Sequence, residues 1–169
     1  LTEEAFCVWS DMIDTYCSEN SNGDVIQATL VSDVLNIECE TDGVNYVNFD
    51  NNSTDSMELK ISVPSSNSKV IINVDEGLLK CTSYKVKFDS DTDYYTVDPQ
   101  QYTGDEGEEH CTWFFQNVIF NHNGTSLDPD TLQAGVLIAP RLDAYTGAHV
   151  GSTWVVNSLT AKNGSVCLY

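Results

Sequence analysis

Three aspartates at alternate positions, Asp89, Asp91 and Asp93, are the clearest candidates for binding an ion. Calcium loops of the EF-hand type begin with carboxylates spaced in this way, but they then need Gly at the sixth place and Glu at the twelfth. Tyr94 and Gln100 occupy those two places here. The EF-hand pattern therefore fails, although its first half is present.

A looser calcium site would have to recruit further carboxylates from the same region. Asp98 is one candidate, and an acidic cluster at Asp105, Glu106, Glu108 and Glu109 supplies the others. The alternative is a solvated acidic loop without a ligand. Calcium is thus the only metal that the sequence favours, and no cofactor is required by it.

Aromatic side chains surround the same acidic stretch. Tyr94, Tyr95 and Tyr102 could stack on sugar rings while neighbouring carboxylates accept hydrogen bonds from sugar hydroxyls, which would make a glycan-binding site. The alternative is that these three rings fold onto the body of the protein. Trp113 and Phe114, which follow the stretch, are expected in the core.

Catalytic patterns are weak. His110, His122 and His149 do not have the spacing of a metal-binding HExxH motif, and no Gly-x-Ser-x-Gly elbow or Gly-rich phosphate loop occurs. A carboxylate pair at the separation of a glycosidase cannot be identified without distances. We therefore expect a protein that is not an enzyme.

The six cysteines are even in number and widely scattered, with no CxxC spacing, so structural disulfides are favoured over a zinc or redox site. Cys7 and Cys17 cannot form a disulfide with each other if both lie in one helix, because ten residues at a rise of 1.5 Å place them about 15 Å apart. The expected set of oxidised residues is Cys7, Cys17, Cys39, Cys81, Cys111 and Cys167.

Four N-glycosylation sequons begin at Asn51, Asn52, Asn123 and Asn163. Together with the even cysteine count and the scarcity of lysine, they favour an extracellular location, secreted or at the cell surface. Glycans are expected in the loop at Asn51 or Asn52 and at Asn123, with Asn163 less accessible beside a closing strand.

The formal charge of −19 comes from 26 acidic and 7 basic residues. Such a surface repels phosphate backbones and anionic membranes, so we expect no nucleic-acid partner and no membrane insertion. A hydrophobic content of 41% is too high for a disordered acidic chain. The length of 169 residues predicts one domain spanning 1–169.

The elements that must position these residues begin with a helix at about residues 2–19. Phe6, Trp9, Ile13 and Tyr16 recur at helical spacing, and Thr2 is a plausible N-cap. We expect the aromatic stripe to pack along the body of the fold rather than to bind a ligand.

Three apolar runs in the carboxyl-terminal third recur at steps of 18 residues, marked by Ile119, Leu137 and Val155. Stacked rungs of a coiling strand path bury one another's apolar faces. The sequence therefore predicts a mainly β protein, an irregular β-solenoid with one flanking N-terminal α-helix. Strands of a β-sandwich are the alternative, although their turns usually recur at shorter steps.

The runs Asn117-Val-Ile-Phe-Asn121, Gly135-Val-Leu-Ile-Ala-Pro140 and Gly151-Ser-Thr-Trp-Val-Val-Asn-Ser-Leu-Thr160 also resemble the end of the choice-of-anchor A domain, an adhesin module. Paired strands within 44–50 and 59–74 resemble earlier strands of that family, so the resemblance covers roughly 40–75 and 113–169.

The resemblance implies three further features. The family's Gly-rich opening rungs would have no counterpart in the segment at Leu1. The stretch at about 81–111 would be an acidic insertion into the domain. A Cys81–Cys111 disulfide would close that insertion at its base.

The function favoured by these observations is a non-catalytic extracellular adhesin or cell-surface coat module, with a cell-surface or glycan ligand as its partner. One alternative is a structural subunit of an extracellular fibre that assembles end to end from further copies of itself. A second alternative is a glycan-binding module. Ice binding is disfavoured because the threonines of the carboxyl-terminal third keep no fixed spacing.

Overall fold

The computed structural model describes residues 2–20, 24–49, 57–74, 81–98, 108–125, 134–146 and 153–161, and it shows a mainly β protein with a helix at its amino-terminal end. The helices in these ranges are α1 (Glu3–Glu19) and α2 (Glu108–Asn117). The strands are β1 (Val25–Gln27), β2 (Leu30–Val31), β3 (Val34–Glu38), β4 (Val44–Phe49), β5 (Met57–Val63), β6 (Lys69–Val74), β7 (Cys81–Phe88), β8 (Tyr95–Val97), β9 (Val118–His122), β10 (Val136–Thr146) and β11 (Thr153–Ala161).

These strands form two sheets. The six-stranded sheet has the order β1-β4-β6-β9-β10-β11, and every neighbouring pair in it is parallel. The five-stranded sheet has the order β2-β3-β5-β7-β8, in which the three central strands are parallel and the two edge strands pair antiparallel. The prediction of a mainly β fold with a flanking amino-terminal helix is confirmed.

The chain alternates between the two sheets in its central part, since β4 and β6 belong to the six-stranded sheet while β5 and β7 belong to the other. Parallel neighbours need a crossover connection, and here each crossover is a strand of the opposite sheet. Val44 pairs with Lys69, and Glu58 pairs with Ser83, so each of these steps takes 25 residues.

The three carboxyl-terminal runs form neighbouring parallel strands, and paired residues lie 17 positions apart rather than the 18 that separate Ile119, Leu137 and Val155. Leu137 lies opposite Phe120 and Trp154, each 17 residues away, rather than opposite Ile119 and Val155. Because side chains alternate along a strand, Ile119 faces the opposite side of the sheet from Leu137.

The inward-facing side chains of both sheets form one hydrophobic core, and α2 contributes to it. Its largest fully buried members are Tyr84, Phe49, Phe114, Phe120, Leu35, Ile37, Met57, Leu59, Ile61, Ile72 and Leu137. Along the strands of the five-stranded sheet, core residues alternate with residues on the outward side, which stays partly exposed. In β5, for example, every second residue from Met57 to Val63 is buried.

Helix α1 covers the other face of the six-stranded sheet. Thr2 caps it, because the threonine Oγ1 accepts a hydrogen bond from the Ala5 N–H at 3.3 Å. Ile13 is buried against Ile71, and Trp9 packs against the same small cluster. The predicted helix and the packing of its aromatic stripe are therefore confirmed.

Three asparagines form a hydrogen-bonded row across this covered face, which we call the asparagine ladder. Asn48, Asn73 and Asn121 occupy matching positions on β4, β6 and β9. The Asn73 amide donates to the Asn48 Oδ1 at 3.3 Å, and the Asn121 amide donates to the Asn73 Oδ1 at 2.8 Å. Side-chain amides that are buried in this way need such partners.

The asparagine ladder also holds α1. The Asn73 amide donates to the Asp14 carboxylate at 3.1 Å, and the Asn121 amide donates to the Ser10 carbonyl at 3.3 Å. These contacts join residues up to 111 positions apart and were not predicted from the sequence. Helix docking thus depends on specific hydrogen bonds as well as on apolar packing.

A second polar anchor lies at β10, where the register with β11 shifts between Ala139 and Asp143. This irregularity accommodates Pro140, which has no N–H to donate to a ladder. The next residue, Arg141, donates to the Asp11 carboxylate at 2.8 Å and to the Asn123 Oδ1. The only arginine of the chain therefore ties β10 to α1.

Helix α2 was not predicted. Trp113 and Phe114 are buried, as expected, and the Trp113 indole N–H donates to the Ser68 carbonyl at 2.9 Å. Phe114 meets Tyr84 edge to face, with ring centroids 5.5 Å apart. The stretch predicted as an acidic insertion therefore begins with the core strand β7, continues through β8 and ends within α2, and its residues 99–107 lie outside the described ranges.

Candidate functional site

The turn after β7 places the predicted ligand-binding tyrosines apart. Tyr94 lies over the outward side of the five-stranded sheet, whereas Tyr95 in β8 stacks on His110 with centroids 4.0 Å apart. Tyr102 lies outside the described residues. Tyr94 and Tyr95, the two described rings, therefore do not form one aromatic platform.

Two lysines approach the Tyr94 ring. The Lys60 Nζ lies 5.9 Å and the Lys87 Nζ 6.0 Å from the ring centroid, at the outer limit of a cation–π contact. The ring itself is 36% exposed. Tyr94 is thus a partly exposed aromatic residue with two ammonium groups near its ring.

Strand pairing brings the lysines together. Lys60 in β5 is in register with Lys85 in β7, and Lys87 lies two residues further along β7 on the same side. We call the group of Glu58, Lys60, Lys85, Lys87 and Tyr94 the lysine face. It contains three of the seven basic residues of the chain.

Glu58 fixes two of these lysines. Its carboxylate lies 2.7 Å from the Lys85 Nζ and 3.0 Å from the Lys60 Nζ, and it accepts a further hydrogen bond from the Ser83 hydroxyl. The hydrogen bond from Lys85 is the largest influence on this carboxyl, and with Lys60 it holds the pKa of Glu58 below its ordinary value against the opposing effect of burial.

The charge balance on this side differs from that of the whole chain. The outward positions of β3, β5 and β7 carry Lys60, Lys85 and Lys87 against Glu38 and Glu58, whereas the chain as a whole carries 26 acidic and 7 basic residues. The outward side of these strands therefore carries a small excess of lysine on a strongly anionic protein, with the exposed Asp89 and Asp93 on the adjoining turn.

Of the three aspartates predicted as calcium ligands, Asp91 already has partners in the protein. Its Oδ2 accepts from the Phe88 N–H at 2.8 Å and lies 2.7 Å from the His110 Nε2. Asp89 and Asp93 are exposed. Within the described ranges, no three His, Cys, Asp or Glu side chains lie close enough together to hold a metal ion.

His110 is enclosed between two aromatic rings. Phe88 stacks on one side with centroids 4.4 Å apart, and Tyr95 stacks on the other. Burial raises the pKa of Asp91, but the hydrogen bonds from the Phe88 N–H and from His110 outweigh this effect, so the pKa lies below its ordinary value. The pair connects the β7–β8 turn to the first turn of α2.

The remaining histidines do not extend this pair. The buried His122 hydrogen-bonds through its Nδ1 to the Val74 carbonyl at 3.1 Å, and His149 lies outside the described residues. The Cys111 thiol donates to the Thr96 carbonyl at 3.9 Å rather than to the neighbouring imidazole. The described side chains thus show no nucleophile activated by a histidine.

The five described cysteines are present as thiols, and the expected Cys81–Cys111 bridge is not formed. Burial raises the pKa of the Cys39 and Cys81 thiols to about 12. Burial, with a smaller effect of the Asp14 charge, raises the pKa of Cys17 to about 11. Cys167 lies outside the described residues, so complete oxidation of the six cysteines stays a prediction.

Among the predicted glycosylation sites, only Asn123 lies in a described range. It is half-buried at the end of β9, its amide donates to the Asp14 carboxylate at 3.4 Å, and its Oδ1 accepts from Arg141. A glycan on this amide nitrogen would have to displace the contact with α1. Asn51, Asn52 and Asn163 lie outside the described residues.

The lysine face was missed at the sequence level, although a signal was present. Lys85-Val-Lys-Phe88 and Lys60-Ile-Ser62 both alternate polar and apolar residues, which is the pattern of a strand with one solvated side. In a chain with few lysines, their placement on the solvated sides of two strands was informative. The sequence does not indicate that β5 and β7 are neighbours in the sheet.

No family model matches the chain, and neither the curated proteins nor the solved structures contain a match to it. The resemblance to the choice-of-anchor A domain therefore stays a prediction. In the described ranges, no helix has the length and apolar content needed to cross a bilayer.

Proposed function

We propose that this protein is a non-catalytic extracellular module of an adhesin or cell-surface coat, and that the lysine face is its binding surface. The observation that carries the proposal is the cluster of Lys60, Lys85 and Lys87 on one sheet face of an acidic chain, with the partly exposed ring of Tyr94 beside Lys60 and Lys87. These side chains are only partly buried, and ion pairs near the surface contribute about 0–1 kcal/mol each, so stability alone is a weak explanation for the cluster.

We also propose that the two sheets are faces of an irregular β-solenoid. This is supported by the alternation of β4, β5, β6 and β7 between the sheets and by the parallel register of each strand with the strand two elements earlier. The resemblance to the choice-of-anchor A domain supports the same architecture. A rigid sheet face of this kind can present a binding surface without a deep pocket.

The proposal has no catalytic step. The Asp91–His110 pair in the described part of the chain is enclosed by Phe88 and Tyr95, so its carboxylate and imidazole serve as a structural link. An extracellular location is supported by the sequons and by the even number of cysteines.

The test masks the lysine face with a glycan. Lys60→Asn creates a sequon with Ile61 and Ser62 on the face, whereas Lys69→Thr creates one at Asn67 in the exposed turn between β5 and β6. Each variant removes one positive charge, so the pair is matched. Both are produced in a eukaryotic secretory host, and glycosylation is verified by mass.

Beads coated with each protein are passed under flow over cell layers and polysaccharide films, and retained beads are counted. We expect wild type and Lys69→Thr to be retained and Lys60→Asn to lose most retention. Wild-type retention no greater than that of an unrelated acidic protein would contradict the adhesin function. Equal retention of both variants would show that the binding surface lies elsewhere.

A second candidate, a subunit of an extracellular fibre, is favoured by a different observation. The two edge strands of the six-stranded sheet, β1 and β11, contain no charged residues and are parallel, and each pairs on one side only among the described strands. Placing β11 of one copy beside β1 of the next would continue the sheet in an open, head-to-tail manner.

The fibre candidate is tested by adding a charge to the edge. Leu159→Lys, at an exposed position of β11, should reduce any association measured by light scattering, whereas Met12→Lys on the exposed side of α1 should not. A wild-type protein that stays monomeric at millimolar concentration would remove this candidate.

A further inference from the structure

We propose that the ligand of the lysine face is an anionic sugar unit, carboxylated or sulfated, whose ring stacks on Tyr94 while Lys60 and Lys87 contact its acidic group. This inference rests on the proposed binding function and specifies the ligand class of the same surface. It differs from the expectation drawn from sequence, in which carboxylates would have bound neutral sugar hydroxyls.

The geometry supports a ring-shaped ligand. Tyr94 offers a partly exposed planar face, and the two ammonium groups lie at nearly equal distances of 5.9 and 6.0 Å from its centroid. A sugar that covers the ring would bring its substituents within reach of one ammonium or the other. The Lys87 Nζ is held on this side by a hydrogen bond to the Thr92 carbonyl at 3.3 Å.

Glu58 makes the arrangement more specific. By pairing with both Lys60 and Lys85, it limits the conformations of these long side chains before a ligand arrives, which lowers the entropy that binding must remove. The third lysine, Lys87, has no carboxylate partner among its described contacts. It is therefore the side chain best placed to bind an acidic group.

The charge of the whole chain limits the size of the ligand. At physiological salt the Debye length is about 8 Å, so an anion on the face responds mainly to the nearby lysines rather than to the total of −19. A long polyanion would extend over the acidic remainder of the surface and be repelled. Short acidic oligosaccharides or chain ends should therefore bind better per acidic group than long polymers.

The test uses four probes in calorimetric titration at 0.15 M salt: a heparin tetrasaccharide for sulfate, a tetragalacturonate for carboxylate, a neutral cellotetraose and a short polyglutamate. We expect binding of at least one acidic tetrasaccharide, and at least tenfold weaker binding of cellotetraose and of polyglutamate. The two acidic sugars distinguish the sulfated from the carboxylated form of the ligand.

The variants separate charge from stacking. Lys60→Gln with Lys87→Gln should weaken binding of the acidic sugar at least tenfold, and Tyr94→Ala should do the same. Lys69→Gln, which removes an exposed lysine outside the face, should leave it unchanged. Circular dichroism confirms that each variant is folded.

Three results would overturn the inference. Polyglutamate binding equal to that of the sugars would show that charge alone is recognised. Stronger binding of cellotetraose would show a neutral ligand, and unchanged binding by the lysine and Tyr94 variants would place the site elsewhere. Bead retention measured in parallel distinguishes the binding function from the ligand class. If wild-type beads are retained but the protein binds neither acidic sugar, only the ligand class is refuted.

Discussion

The amide of Asn73 has partners on both sides of the interface between α1 and the six-stranded sheet. It donates to Asp14 and to Asn48, and its oxygen accepts from Asn121. Because all of these groups are at least partly buried, removing the amide leaves several of them without a partner while water has little access.

Asn73→Ala should therefore lower the free energy of unfolding by about 1–3 kcal/mol, the cost of unsatisfied buried polar groups. Urea unfolding followed by tryptophan fluorescence measures this. Asn36→Ala, at an exposed position of β3, is the control and should change stability by no more than about 0.5 kcal/mol. Equal effects of the two substitutions would mean that the asparagine ladder contributes nothing to helix docking.

The Asp91–His110 pair makes a second prediction, on pH. Since the pKa of Asp91 is depressed in the folded protein, its contribution is complete above the unfolded value of about 3.9 and is lost as the pH falls through the folded pKa. Asp91→Asn should therefore reduce stability by about 1 kcal/mol at pH 7 and pH 5. The difference from wild type should shrink at pH 3.

Urea midpoints at these three pH values provide the measurement. Asp93→Asn, an exposed change of the same charge type, should have little effect at pH 7. A difference between wild type and Asp91→Asn that persists unchanged to pH 3 would argue against the depressed pKa.

The sequence singled out Asp91 but assigned it to calcium, because its structural partner is 19 residues away and belongs to a different element. Alternating carboxylates can be read from a sequence. The tertiary contact that turns one of them towards a histidine cannot, since it depends on how α2 packs against β7 and β8.

At the scale of elements, Gly135 shows why the chain enters β10 as it does. Its φ of +89° lies in the region that disfavours other residues, and a Cβ there would lie 2.8 Å from the Phe120 ring and 2.9 Å from the Val118 carbonyl. Gly135→Ala should destabilise the protein by about 1–3 kcal/mol through backbone strain and this close contact.

Gly43→Ala is the matched control, because the nearest atom to its added Cβ is the Thr41 Cγ2 at 3.5 Å, an ordinary contact. We expect that substitution to change the thermal midpoint little or to raise it slightly. If Gly135→Ala melts at the same temperature as Gly43→Ala, the close approach of β9 to this turn is not a constraint.

The sequence predicted the carboxyl-terminal strands, but the 18-residue step between their marked residues differs by one from the observed pairing. The reason is that these strands are apolar on both faces: Phe120 and Leu137 face the core, while Ile119 and Ile138 face the side that α1 covers. Without polar alternation, the pattern marks a strand but does not indicate which face each residue occupies.

Helix α1 was predicted almost to the residue, whereas α2 was missed. The first has a cap, one apolar stripe and a terminating polar cluster. The second ends at Asn117 and is followed at once by β9 at Val118, with no Gly or Pro between them to mark the boundary. Aromatic residues at 113–115 fit either a strand or a helix, so the sequence does not mark where α2 ends and β9 begins.

For the molecule as a whole, the charge of −19 sets how copies can meet. Suppose that copies associate through the uncharged edges β1 and β11. Long-range repulsion then opposes association strongly at 0.01 M salt, where the Debye length is about 30 Å. At 0.15 M salt the Debye length is about 8 Å, so the repulsion is much weaker. We therefore expect sedimentation velocity at high protein concentration to show more association at 0.15 M than at 0.01 M sodium chloride.

The opposite salt dependence would identify a different contact. Association that is stronger at low salt would indicate that the lysine face of one copy meets the acidic surface of another, and the Lys60→Gln, Lys87→Gln variant would then abolish it. Leu159→Lys would leave that kind of association intact.

The contact of Arg141 with Asp11 has a consequence for how the protein is made. These residues are 130 positions apart, so the helix leaves the ribosome long before the strand that completes its docking surface. At about 5–20 residues per second, that delay is about 6–26 s. During this interval the apolar side of α1, with Cys7 and Cys17, has no finished sheet to cover it, and a chaperone or an oxidase that acts during synthesis meets these two thiols before any of the others.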